Sequence, residues 1–250
     1  MRRCTVAALV CLLAVGACDS GGSGKRNTLT VFAAASLTES FTTIGHEFER
    51  ANPGVRVKFN FGPSDGLATG IVEGGTADVF ASASIATMDR VAAGPRIIGR
   101  AVFARNRLVV IVPKDNPAHI TSLADLARPS IELAIAAPGV PAGDYARQLF
   151  KNVRQTPRGS FSNEVDVKSV VQAVSLGEAD AGICYATDVT ASVAPEVKVI
   201  DIPDAVNVIA SYPIAIVRGT KHGAAARAFV RYVLGPGQTV LRSAGFLAPA

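Results

Sequence analysis

The chain has 250 residues, a formal net charge of +5, 49% hydrophobic residues and no tryptophan. Its lysines and arginines are scattered instead of clustered, which argues against a nucleic-acid partner, while a mildly basic surface suits the gathering of small anions. The histidines (His46, His119, His222) are isolated and lack the close ligand spacing of a zinc site, so no protein-ligated metal cation is expected.

The stretch "MRRCTVAALVCLLAVGAC" starts with a positive pair, runs through apolar residues and ends in small ones at Cys18. Residues 1–17 therefore read as a secretory signal peptide, too short for a good membrane span. Val15-Gly16-Ala17-Cys18 resembles the lipobox of bacterial lipoproteins, with ordinary cleavage nearby as the alternative. In the lipobox reading Cys18 becomes the acylated N-terminus and residues 18–26 form a flexible tether, which holds the protein on the outer face of a membrane. Cys4 and Cys11 leave with the signal. Only Cys184 then remains in the folded part, in the apolar run "ADAGICYA", where a buried inert thiol is expected.

Roughly 230 residues follow, enough for one large or two modest domains. Strand-length apolar runs alternate with helix-length segments: "TLTVFAAAS", "VRVKFNFG", "ADVFASAS", "RLVVIVP", "IELAIAAPG", "ADAGICYAT" and "SYPIAIVRG". This is the rhythm of an α/β protein with mainly parallel strands flanked by helices. Gly75-Thr76-Ala77-Asp78 leads into "VFASA" and Gly177-Glu178-Ala179-Asp180 leads into "AGICYA", an internal echo that fits two similarly built lobes. "NRLVVIVPKDNP" is suited to carry the chain from one lobe to the other, and "VKVIDIPDAVNVIASYPIAIV" to bring it back. The expected division is residues 27–105 plus 204–250 for lobe I and 106–203 for lobe II.

Four of the strand-to-helix turns share a character. Ser36 follows "TVFAAA" at an N-cap position, with Glu39 placed for a capping box. Ser64 follows "FNFGP" just before a helix. Pro141-Ala142-Gly143 opens a third helix with no bulky side chain over its amides, and a fourth begins near Asp166 and Val167. A helix N-terminus carries unsatisfied N–H groups and about half a positive charge, so it seats anions. Ligand crevices of α/β sheets lie beyond the carboxyl ends of the strands, where all four turns fall and where Tyr185 ends "AGICY". The pattern points to one anion held between lobes by neutral donors. Such donors suit a fully ionised anion, whereas Asp65 and Asp166 leave open a protonated oxyanion that needs an acceptor.

Gly62, Ser64 and Gly66 also spell G-x-S-x-G, the turn that presents a serine nucleophile in some hydrolases, and His222 with Asp201 or Asp204 follows in the permitted order. A secreted serine esterase is thus the rival reading. It leaves Ser36 and the other helix starts without a role.

"VFAAASLTESF", "GLATGIVEGGTADVFASAS", "VPAGDYA", "ADAGICYATDV", "YPIAIV" and "GPGQTVLRSAGF" occur in an order that resembles the periplasmic molybdate-binding proteins of ABC transporters, within the type II solute-binding fold, across nearly all of the mature chain. The resemblance implies a two-lobed α/β protein with its ligand in the interlobe cleft. It also implies capture of molybdate or tungstate, delivery to an ABC permease, no catalysis and no cofactor, in a monomer. Carried across, the ligand-binding groups are the hydroxyls and amides of Ser36 and Ser64, the amides of Ala142 and Val167, and the Tyr185 hydroxyl. Where the family commonly has adjacent serines this chain has Pro63-Ser64-Asp65, which sets a carboxylate beside the site. Sulfate or phosphate is the alternative anion.

Overall fold

Leu29, Val31 and Ala33 alternate with less buried neighbours along β1 (Asn27–Ala34), so one face of this strand lies fully inside the protein. The structure is a computed structural model and describes residues 27–94 and 96–249; the signal peptide, Cys18 and the tether lie outside the described residues. After β1 come α1 (Thr38–Ala51), β2 (Val55–Gly62), α2 (Ser64–Val72), β3 (Val79–Ala81), α3 (Ile85–Ala92) and the long β4 (Ile97–Pro113). The chain continues through β5 (Leu133–Ala136), α4 (Pro141–Asn152), β6 (Phe161–Glu164), α5 (Val167–Ser175), β7 (Ala181–Tyr185) and β8 (Val197–Asp201). It ends with β9 (Ile209–Val217), α6 (Gly223–Leu234) and α7 (Gln238–Ser243).

The strands follow the order β2-β1-β3-β9-β4-β7-β5-β6, with β8 also paired to β4. β1 runs parallel to β2 and β3, and β5 runs parallel to β6 and β7, as expected when helices carry the chain back between neighbouring strands. The remaining pairs, all involving β4 or β9, are antiparallel. The sheet is therefore mixed: two parallel triplets face each other across two long antiparallel strands.

β4 changes partner along its length. Residues from Ile97 to Arg107 pair with β9, whereas those from Leu108 to Ile111 pair with β7 and those from Val109 to Pro113 with β8. At the switch, Leu108 has lost β9 and not yet met β8. The Asn207 side chain fills the gap: its Oδ1 accepts the Leu108 N–H at 3.1 Å and its Nδ2 donates to the Leu108 carbonyl at 2.9 Å. A buried peptide group left unpaired there would be costly, so one amide side chain acts as a short piece of strand.

The echoed Asp78 and Asp180 have matching roles. Asp78 Oδ2 accepts the Thr30 N–H at 2.7 Å, and the Asp78 N–H donates to the Thr30 carbonyl at 2.8 Å. Asp180 Oδ2 accepts the Glu132 N–H at 2.8 Å, and the Asp180 N–H donates to the Glu132 carbonyl at 2.9 Å. Each aspartate thus clamps the amino end of a parallel strand pair, which explains why the same four-residue pattern appears twice.

Helices pack closely on these strands. A Cβ at Gly182 on β7 would lie 2.8 Å from side-chain carbons of Val170 and Val174, so α5 rests directly against β7. Phe48 of α1 meets Phe229 of α6 edge-on, with centroids 5.3 Å apart.

Candidate functional site

The carboxyl ends of β1, β2 and β3 face those of β5, β6 and β7, and a small chamber lies between them. Ala34, Ala35, Ser36, Gly62, Pro63, Ser64 and Ala83 line one side; Val140, Pro141, Ala142, Asp166, Val167 and Tyr185 line the other. All five residues expected from the sequence to bind the ligand are present. Each is at least 96% buried, with Ser36 and Val167 the most exposed at 4%. The free interior is about 20 Å³. That suits a compact ion and lies well below the volume of pockets that hold drug-sized organic ligands.

Ser64 is the first residue of α2, and its Oγ accepts the Ala83 N–H at 3.1 Å. With its acceptor side engaged by this amide, the hydroxyl proton is free to point into the chamber. Ser36 sits in a 3-10 turn, Ala35–Leu37, and its Oγ meets the Tyr212 hydroxyl at 2.9 Å. The capping box expected for Ser36 and Glu39 does not form. Leu37 takes the N-cap of α1 without a side-chain bond, because the 3-10 turn moves the helix start downstream, and the Glu39 carboxylate instead binds Lys168.

Pro141 is the first residue of α4 and has no N–H, so Ala142 and Gly143 provide that helix's first free amides. Gly143 is required here: a Cβ would fall 2.1 Å from the Ala136 carbonyl oxygen and 2.5 Å from that of Ala137. Asp166 is the N-cap of α5 and its Oδ1 accepts the Ser169 N–H at 2.9 Å. This leaves Val167, one residue into the helix, with an unpartnered amide at the positive end of the dipole.

Tyr185 ends β7. Its hydroxyl is buried without a hydrogen-bond partner, as is Asp188 Oδ1 three residues later, although the Lys168 ammonium lies 3.7 Å from the latter. The Tyr185 hydroxyl makes no bond to backbone, as a purely structural core tyrosine would. Burial, reinforced by Tyr212 and Tyr145, pushes the Tyr185 phenol well above its ordinary value, and burial does the same for Tyr212. Both stay protonated and able to donate. Asp188 Oδ2 accepts the Tyr185 N–H at 3.0 Å, and burial raises this carboxyl to about 7 despite the opposing pull of Lys168.

Asp65 does not line the chamber. Its Oδ1 is buried without a partner, and its Oδ2 approaches Gly139 in the turn after β5. The carboxylate beside the site is thus directed at the opposite wall and not at the interior. Cys184 is fully buried, and desolvation raises its thiol well above the ordinary value, as an inert core thiol requires.

The arrangement for a serine hydrolase is absent around Ser64. His222 Nδ1 lies 3.1 Å from both Asp78 carboxylate oxygens, in a separate hollow of about 680 Å³ at the amino ends of β1 and β3. Thr220 also donates to Asp78 there. The order Ser64, Asp201 or Asp204, His222 is permissive in sequence, but the fold places the histidine at the other end of the strands. That hollow is larger than the chamber, yet its Arg96, Arg218 and Lys221 are exposed, and of the helix starts only that of α6, capped by His222, borders it among the described residues.

Two residues joined to this site had no local signal in the sequence: Tyr212, 176 positions from Ser36, and Lys168, 129 positions from Glu39. Only pairing of β9 with β4, and the facing of α1 and α5, bring them in.

The chain is 39% identical over 232 residues to the molybdate-binding protein ModA of Mycobacterium tuberculosis, covering 92% of this chain and 88% of that one. It is 31% identical over 238 residues to YvgL of Bacillus subtilis, described as an ABC transporter substrate-binding lipoprotein, covering 91% and 90%. The periplasmic molybdate-binding protein of Azotobacter vinelandii shares the fold with a TM-score of 0.79 at 20% identity, over 89% of this chain and 100% of that one. Among the described residues no helix is long and apolar enough to cross a membrane. A profile spanning residues 29–247 matches as well, and with it the conclusion is plain: the chain belongs to the bacterial extracellular solute-binding proteins.

Proposed function

We propose that the protein captures molybdate or tungstate outside the cytoplasm in the chamber between residues 27–105 plus 204–250 and residues 106–203, and delivers it to the permease of an ABC importer. The reading rests on one observation. Ser36, Ser64, Ala142, Val167 and Tyr185, which between them offer seven hydroxyl and amide donors in this reading, line one small chamber whose lining has no Lys, Arg or His. A hydrogen bond to a charged group contributes about 1.5–3 kcal/mol net, and micromolar affinity requires about 8 kcal/mol. Seven such donors exceed this before the cost of closing the two halves is subtracted.

Donors without acceptors favour a fully ionised tetrahedral anion over a protonated phosphate. Asp166, the one carboxylate on the lining, is engaged in capping α5. Size then separates molybdate and tungstate from sulfate, whose shorter bonds leave fixed donors out of reach. The protein acts by binding and release, without catalysis or a cofactor, as a monomer. A lipid on Cys18 and the tether of residues 18–26 keep it near the permease; the lipobox-like Val15-Gly16-Ala17-Cys18 and the lipoprotein description of the Bacillus relative support this.

Titration calorimetry with molybdate, tungstate, sulfate and phosphate tests the substrate. Molybdate and tungstate are expected to bind far more tightly; tighter binding of sulfate or phosphate overturns the assignment. Mass spectrometry of the mature N-terminus tests the anchor, with an unmodified Cys18 as the contrary result.

A further inference from the structure

The Lys168 ammonium leaves the first turn of α5, on one side of the chamber, and donates to both carboxylate oxygens of Glu39 at 2.9 Å on the other. Glu39 lies in the first turn of α1, three residues after Ser36; Lys168 directly follows Val167. The same ammonium lies 3.7 Å from the fully buried Oδ1 of Asp188, whose other oxygen holds the Tyr185 N–H. One cation therefore touches groups fixed to three of the five ligand-facing residues, across the seam between the two halves.

We propose that Lys168 is a positioning residue, a latch that joins Glu39 to Asp188 only when the halves are closed and so slows the escape of the bound anion. This deepens the function proposed above and rests on that reading of the chamber. Lys168 is not on the chamber lining, so its contribution runs through closure and not through contact with the anion. The geometry explains why a site made of neutral donors carries an ion pair at its rim. The attraction acts between the walls, and the interior stays free of a cation that would hold any anion regardless of size.

Glu39 gives the decisive test, because the latch and a simple electrostatic effect predict opposite signs. Were Lys168 there to attract the dianion directly, removing the competing negative charge in E39Q would tighten binding. As a latch, E39Q loses the bridge. Glu39 is 53% exposed at its side chain, so the substitution does not threaten the fold.

The measurement is stopped-flow tyrosine fluorescence of molybdate release, with calorimetry for affinity, on wild type, E39Q, K168M and the double variant. The latch predicts release about two- to fivefold faster in E39Q, the range for a half-exposed ion pair, and no further acceleration from E39Q once Lys168 is gone. Release in E39Q equal to or slower than wild type overturns the latch while leaving the chamber intact. Failure of wild type itself to bind molybdate overturns both the latch and the function on which it rests.

Discussion

The hydroxyls of Ser36 and Tyr212 meet at 2.9 Å inside the protein, although 176 residues separate them. Tyr212 belongs to β9, and its ring packs edge-on against Tyr185 with centroids 5.7 Å apart. When the tyrosine donates, the Ser36 proton must point elsewhere, and the chamber is the place that needs it.

Tyr212→Phe is thus expected to weaken molybdate binding about three- to tenfold, the worth of one net hydrogen bond, with little change of shape. Ser36→Ala should weaken it by more, because the donor itself is lost. In the double variant the tyrosine change should add nothing further. Calorimetry on the three variants checks this; independent, additive effects would break the link between the two hydroxyls.

Ser64→Ala leaves the Ala83 N–H without its acceptor and, in the proposed site, removes a donor to the charged ligand. Affinity should fall by roughly ten- to a hundredfold. A fluorophosphonate probe should leave wild-type Ser64 unlabelled, since the nearest arrangement with His222 lies at the other end of the sheet.

Gly143→Ala forces a methyl group onto the carbonyls of Ala136 and Ala137, so the start of α4 must shift and carry the Ala142 amide with it. The expected cost is about 1–3 kcal/mol of stability together with a clear loss of affinity. Gly54→Ala is the control, because nothing lies within 4 Å of the added carbon. Thermal melts with and without molybdate distinguish the two.

Asp188 provides a pH signature. Its carboxyl rises from 3.8 to about 7 in the folded protein, chiefly through burial, so the native state holds a proton that the unfolded chain has released. Stability from this group is full below pH 3.8 and is lost as pH climbs through about 7. Asp188→Asn should flatten the pH dependence of unfolding across that window relative to wild type. Urea denaturation of both proteins at several pH values checks the sign; a variant whose stability follows the wild-type curve would contradict it.

The amino-acid order alone made the strands, the helix starts and the internal echo visible, because each depends on residues near one another. Alternation marks β1, Pro141 marks the start of α4, and the two Gly-x-Ala-Asp patterns mark strand clamps that proved to be hydrogen-bonded alike. The helix starts at Ser36, Ser64, Pro141 to Gly143 and Asp166 to Val167, and Tyr185 at a strand end, were visible for the same reason, because such ends carry free donors wherever they occur; the choice of the Ala142 and Val167 amides among them is what the family resemblance implies. What lay beyond reach were relations set by packing. No local pattern tells that Tyr212 steadies Ser36, that Glu39 leaves its capping role for Lys168, that His222 turns to Asp78 and away from Ser64, or that Asn207 stands in for a strand beside Leu108. Hydrogen bonds and ion pairs of this kind need atoms brought within a few ångströms, and only the switch of β4 from β9 to β7 and β8, with the helices lying on that sheet, decides which atoms those are.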